Sequence, residues 1–116
     1  MPKRVFDLEE RTLAFAKNVI RACKELTRNE INRELVSQLV RASGSVGANY
    51  REANDSLSRK DFGHRIKITR REAKEAHYWL QLLEEANPEI DGRLKELRQE
   101  ALELKRIFSS IADKNP

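Results

Sequence analysis

Arg41-Ala-Ser-Gly-Ser-Val-Gly-Ala-Asn-Tyr-Arg-Glu-Ala-Asn54 is a run rich in small residues, set where a helix must pass. Leu35, Leu39, Ala42, Val46, Asn49 and Ala53 recur every three to four positions, the period of one helix face. Gly44 and Gly47 interrupt that face at about 1 kcal/mol each relative to alanine. Their presence predicts that helices pack closely here, or that the backbone approaches another group.

Outward from this stretch, polar turns divide the chain into four helical segments. Thr27 or Asn29 caps a helix over about 29–57. Upstream, Asp7 and Glu10 have capping-box spacing, with Phe6 as a hydrophobic staple, and start a helix over about 7–26. Its stripe is Leu8, Thr12, Ala16, Val19, Cys23 and Leu26, widened by Phe15 and Ile20. Downstream, Ser58 caps a helix over about 59–86, with Phe62, Ile66, Thr69, Ala73, Ala76, Leu80 and Leu83 on one seam. Asn87-Pro88 ends it, because a residue before proline avoids the helical region. Asp91 caps the last helix, over about 91–112, with the stripe Leu94, Leu97, Ala101, Leu104, Phe108 and Ile111. Residues 113–116 read as a frayed tail.

Four helices of similar span joined by short turns give an all-α, antiparallel up-down-up-down four-helix bundle, one domain over residues 1–116. The expected register puts Ala16, Ala42, Ala73 and Leu104 in one layer, next to Val19, Leu39, Ala76 and Ala101. Phe108 fills the widening beyond this alanine-rich waist, beside Thr12, Val46 and Thr69.

Several function classes find no support. The apolar runs are too short for a transmembrane helix, and the N-terminus lacks the apolar core of a signal peptide. Cys23 is the single cysteine and reads as a packed thiol in a reducing cytoplasm. His64 and His77 are not spaced as a helical metal pair. Asp61-Phe-Gly-His64 is half of a di-metal pattern, and Lys74 stands where the second acid is needed. Ser43, Ser45, Ser56 and Ser58 lack a histidine at helical spacing. Gly44-Ser-Val-Gly47 lacks the Gly-Lys-Ser/Thr ending of a phosphate loop. The reading is a non-enzymatic protein with no cofactor and no metal.

Charge carries the functional signal. Residues 59–74 hold seven cations (Arg59, Lys60, Arg65, Lys67, Arg70, Arg71, Lys74) against Asp61 and Glu72, a net of +5. Residues 75–103 hold eight acids against Arg93, Lys95 and Arg98, a net of −5. Lys60, Lys67, Arg71 and Lys74 share one exposed stripe, flanked by Arg59, Arg65 and Arg70. Such a ladder tracks phosphates, so RNA or DNA is the expected partner, with little sequence preference. His64 and Tyr78 are the nearby rings able to stack on a base. A solvated face with internal ion pairs is the alternative. Ser45, Asn49 and Glu52 form a second cluster. Asn49 falls on the core stripe and needs a partner if buried, and Glu52 is positioned to pair with Arg65 or Arg70. Trp79 is read either as an interface residue or as the cap of the bundle end.

Two stretches carry a family resemblance. Leu39-Val-Arg-Ala-Ser-Gly-Ser-Val-Gly-Ala-Asn-Tyr-Arg-Glu-Ala53 contains a Ser-Val-x-Ala-Asn-x-x-Glu pattern at Ser45–Glu52. Glu72-Ala-Lys-Glu-Ala-His-Tyr-Trp-Leu-Gln-Leu-Leu83 contains Glu-Ala-x-Tyr-Trp-Leu at Glu75–Leu80. Together they resemble the bacterial four-helix-bundle proteins encoded in intervening sequences of 23S rRNA genes. That family is similar to the accessory protein of diversity-generating retroelements. The resemblance spans roughly residues 5–112. It implies no enzymatic activity, assembly as a homo-oligomeric ring (typically a pentamer), and a basic surface for nucleic acid. From the retroelement relatives it implies a reverse transcriptase partner, which leaves a protein-binding adaptor without direct nucleic-acid contact as the alternative function. The acidic 75–103 segment is then a candidate contact for a neighbouring subunit's basic face.

Overall fold

The computed structural model describes residues 7–90 and 92–116. Its helices are α1 (Leu8–Cys23), α2 (Glu30–Asn54), α3 (Arg59–Ala86) and α4 (Arg93–Asp113). Three begin at short polar caps. Asp7 Oδ1 accepts from Glu10 N at 3.3 Å, Asn29 Oδ1 from Asn32 N at 2.8 Å, and Ser58 Oγ from Asp61 N at 3.0 Å. Each bond satisfies a backbone donor that the first turn leaves free. Of the two candidate caps for α2, Asn29 is the one used. At the start of α4, Gly92 occupies the cap position at φ 75°, a left-handed conformation that suits glycine, with no side-chain cap bond. The Phe6 staple and the Asp91 cap fall outside the described residues.

Cross-helix hydrogen bonds fix the topology. The start of α1 meets the end of α2 through Glu9 and Asn54 (2.9 Å). The start of α2 meets the end of α3 through Asn32 and Asn87, and its end meets the start of α3 through Asn49 and Arg65. The end of α3 meets the start of α4 through Glu84 and Arg98 (2.6 Å). Finally, Arg11 near the start of α1 reaches Glu100 and Glu103 of α4, while Arg93 at the start of α4 reaches Glu25 just past α1. Every sequential pair is therefore antiparallel and α4 closes back on α1, the up-down-up-down arrangement expected from the sequence. α1 packs less extensively on α4 than α2 and α3 do on their neighbours. Ion pairs from Arg11 and Arg93 staple that looser seam.

The core matches most of the predicted stripes. Val19, Leu39, Val46, Ile66, Ala73, Ala76, Leu80, Ala101, Leu104 and Phe108 are fully buried, and so are Thr12 and Thr69. The two threonine hydroxyls are satisfied within their own helices, donating to Leu8 O (2.7 Å) and Arg65 O (2.9 Å). The Phe108 ring lies 5.4 Å from that of Tyr50, past the alanine-rich waist. Four expectations need correction. In α1 the buried column runs through Phe15 and Ala22; Ala16 and Cys23 are half-buried on its flank, and Ile20 is 47% exposed. Leu35 and Asn49 of α2 are half-buried rather than core. The helices end earlier than predicted at Cys23 and Asn54, and α4 starts and ends slightly later. The tail is not fully frayed: Lys114 and Asn115 donate backbone hydrogen bonds to Ile111 and Ala112. A Cβ added to Gly63 of α3 would lie only 2.5 Å from the Asn115 carbonyl oxygen of this tail.

The two glycines of the central stretch serve different ends. A Cβ at Gly47 would lie 3.0 Å from Thr12 Oγ1, so this glycine sets the α1–α2 spacing. A Cβ at Gly44 would meet nothing within 4 Å. Gly44→Ala is therefore expected to stabilise the fold by about 0.5–1 kcal/mol. Gly47→Ala gains the same helix propensity but must push aside a threonine held by its hydrogen bond to Leu8, so its gain is smaller or negative. Denaturant midpoints of the two variants at matched protein concentration check this. Equal gains would mean that the α1–α2 spacing is not tight.

Candidate nucleic-acid interface

The Ser58 cap fixes the phase of α3 and thereby sorts its side chains. Gly63, Ile66, Thr69 and Ala73 turn inward. Arg59, Lys60, His64, Lys67, Arg71 and Lys74 are exposed, and Arg65 and Arg70 are half-buried on the flanks. From Lys60 to Lys74 the ladder runs about 21 Å along the axis at 1.5 Å per residue. It starts at the helix N-terminus, whose unpaired N–H groups add to the positive field.

Few acids neutralise this ladder. Among the described residues, none of the seven cations lies within ion-pair distance of a carboxylate on another helix. The one pair is local, Arg71 Nη2 to Glu72 Oε2 at 3.7 Å. Glu72 is half-buried, and its carboxyl is held above the usual range by burial first and then by Glu75, with Arg71 pulling it back. The acid-rich segment behaves differently. Glu84 is taken by Arg98 at 2.6 Å, and Glu100 and Glu103 by Arg11 at 2.7 and 3.0 Å. Arg11 is held firmly charged by Glu100 in particular, against the cost of its partial burial. Part of the acidic excess is thus consumed inside the subunit, leaving less of it for a neighbour. The basic excess on α3 stays on the surface.

Ser45, Asn49 and Glu52 lie on the α2 flank that faces α3. Asn49 Nδ2 donates to Ser45 O at 2.9 Å, and Arg65 Nη1 donates to Asn49 Oδ1 at 3.4 Å. The expected Glu52 pair with Arg65 or Arg70 is absent; Glu52 is exposed and the neutral amide one turn earlier takes Arg65 instead. Arg65 is therefore tied to α2 through its guanidinium by a neutral amide, with no carboxylate partner among the described residues.

Past the ladder, α3 carries His77, Tyr78 and Trp79. Burial lowers the pKa of His77, as does nearby Arg98, which disfavours the charged ring. Trp79 is half-buried against the core, and Tyr78 is 54% exposed. Their rings meet edge to face, 5.2 Å apart at 70°. No helix of the described residues is long and apolar enough to cross a membrane.

Residues 6–110 match the family of 23S rRNA-intervening sequence proteins. The chain belongs to that family. A solved structure from Bacteroides thetaiotaomicron VPI-5482, described as a protein of unknown function from the S23 ribosomal protein family, is 28% identical. The similarity covers 90% of this chain and 96% of that one, with a TM-score of 0.78. No curated protein matches. The Ser45–Glu52 pattern of the resemblance forms the α2 flank that steadies Arg65, and the Glu75–Leu80 pattern sets Trp79 against the core beneath Tyr78.

Two features of this family member escape the sequence reading. Asn32, inside the segment predicted as the second helix, and Asn87, which ends the third, form a buried reciprocal amide pair at the opposite end of the bundle, with both N···O distances 2.9 Å. Their remaining N–H groups reach Thr27 O and Leu83 O. Cys23 is only half-buried, yet burial pushes its thiol up to about 11. At neutral pH it is a thiol rather than a nucleophilic thiolate.

Proposed function

We propose that this chain is a non-enzymatic cytoplasmic protein that binds RNA or DNA through Arg59, Lys60, Arg65, Lys67, Arg70, Arg71 and Lys74. The observation that carries the reading is the ladder on α3, its exposed stripe of Lys60, Lys67, Arg71 and Lys74 flanked by Arg59, Arg65 and Arg70, with no ion pair to a carboxylate of another helix among the described residues. Cations paired internally gain little from a phosphate. Unpaired ones release condensed counterions from the nucleic acid on binding, and that release is the main source of non-specific affinity. The family's connection to rRNA genes is consistent with such a partner.

Binding of labelled structured RNA and duplex DNA, followed by fluorescence anisotropy across a salt series, tests this. The expected result is binding that weakens steeply with salt, with a log–log slope of about −0.9 per phosphate contacted on duplex DNA. No binding of either nucleic acid at low salt would make the ladder a solvated or subunit-facing surface.

A second reading is supported by a different observation. Leu13, Ile20 and Val40 are exposed on the α1–α2 side of the bundle, with half-buried Cys23 and Val36 beside them. Apolar exposure of this kind marks protein contacts. It favours assembly with further copies of the chain, a pentameric ring by the resemblance, or an adaptor role towards a protein such as a reverse transcriptase.

A further inference from the structure

We infer that the α3 face takes unpaired strands rather than duplexes, with Tyr78 as the platform on which one base stacks. This rests on the nucleic-acid reading above and goes further by naming the form of the ligand.

Tyr78 continues the ladder. Lys67, Arg71, Lys74 and Tyr78 follow at spacings of four, three and four, so the ring stands on the same stripe, one turn past the last cation. It is more than half exposed, while the residue after it packs on the core. Its neighbour Trp79 is anchored in the bundle and meets it edge to face, which limits the ring's freedom without covering both faces. A braced, exposed ring at the end of a cation track is what single-strand binding uses: charges follow the backbone and an aromatic face takes a base. A duplex keeps its base faces inside the stack, so Tyr78 has nothing to offer it.

The charge boundary sets the direction of the strand. Exposed Glu75 and Glu85 bracket Tyr78 along α3. They repel phosphates, so the backbone stays on the Lys67–Lys74 side and only a base reaches over the ring. Removing one of these charges lets the backbone follow, so Glu75→Gln is expected to tighten single-strand binding.

The test compares four labelled probes by anisotropy: oligo(U), oligo(dT), an RNA duplex and a DNA duplex. The two single strands separate RNA from DNA as the source of the same chemistry. An abasic DNA strand serves as a fifth probe, keeping the phosphates and lacking the bases. Tyr78→Ala is expected to weaken single-strand binding by roughly 5- to 150-fold, the range of one base–aromatic stack. It leaves duplex binding and the salt slope unchanged, and Tyr78→Phe restores the single-strand affinity. Wild-type protein binds the abasic strand about as weakly as the alanine variant binds oligo(dT). Trp79, the one tryptophan of the chain, reports directly through a fluorescence change on binding oligo(dT) that the abasic strand does not produce. Equal effects of Tyr78→Ala on strands and duplexes, or no effect on either, would overturn the inference while leaving the cation ladder standing. So would a change in assembly mass of that variant by light scattering, which would make Tyr78 a protein contact. Failure of wild-type protein to bind any probe at low salt would instead remove the nucleic-acid reading and this inference with it.

Discussion

Reversing Lys67, Arg71 and Lys74 together to glutamate is expected to lower nucleic-acid affinity at low salt by roughly 100-fold or more, with the fold intact. The local balance of residues 59–74 changes from +5 to −1, because three cations become three anions. Each lost phosphate contact also flattens the salt dependence by about one unit of slope. The bundle tolerates the change because all three side chains are exposed and, among the described residues, none bonds to another helix. Lysine, arginine and glutamate are similar in helix propensity, and the new like-charge neighbours cost only a few tenths of a kcal/mol each. A matched control reverses Lys17, Arg21 and Lys24 on α1, which are also exposed. It lowers the chain's net charge by the same amount on a different surface. If binding depends on the α3 ladder, the first triple variant loses it and the control keeps most of it. Equal losses would mean that overall charge, not this face, holds the nucleic acid, and undiminished binding by the first variant would remove the face altogether. Circular dichroism and light scattering on both variants establish that helicity and assembly are unchanged.

How far the sequence could be read depends on the range of the interaction involved. The α3 ladder was legible because exposure there follows from the helix period: once Ile66, Thr69 and Ala73 face inward, Lys67, Arg71 and Lys74 face outward. The Asn29 and Ser58 caps were legible because a cap is a contact across three residues. α1 was harder. Its columns through Ala16 and Cys23 and through Phe15 and Ala22 are both apolar, and periodicity does not choose between them. The choice is made by neighbours, since α1 packs well on α2 and only loosely on α4. Glu52 shows the limit of charge matching. An acid one turn from a basic segment looks like a partner, but Asn49 lies nearer to Arg65 and leaves Glu52 to solvent. The family pattern marks Ser45, Asn49 and Glu52 together, while the bonding separates the first two, which form a chain to Arg65, from the third.

Asn87→Leu is expected to be among the most damaging single changes to stability, at roughly 2–4 kcal/mol, although it lies far from the basic ladder and only lengthens the apolar surface of the bundle end. Asn32 and Asn87 sit 55 residues apart, at 3% and 2% exposure, and no local pattern announces their pairing. Each amide uses both N–H groups. Asn32 donates to Asn87 Oδ1 and Thr27 O; Asn87 donates to Asn32 Oδ1 and Leu83 O. The pair therefore ties the α1–α2 turn, the start of α2 and the end of α3 into one unit. Leucine at position 87 would strand the Asn32 amide and uncap Leu83 O in a buried site, and each stranded group costs about 1–3 kcal/mol. Against a total stability on the order of 5–15 kcal/mol, that is a large share. Replacing both asparagines with leucine removes donor and acceptor together, so the double variant is expected to lose less than the sum of the single losses, by roughly 1–3 kcal/mol. Denaturant unfolding of the two single variants and the double variant, at one protein concentration because assembly shifts apparent stability, measures the coupling. Additive losses, or single-variant losses below about 0.5 kcal/mol, would show that the amides are solvated and independent. A strong coupling would mean that the turns at this end are held by a polar clamp rather than by core packing, which leaves the opposite end of the bundle, where α3 begins, free to specialise its surface charge.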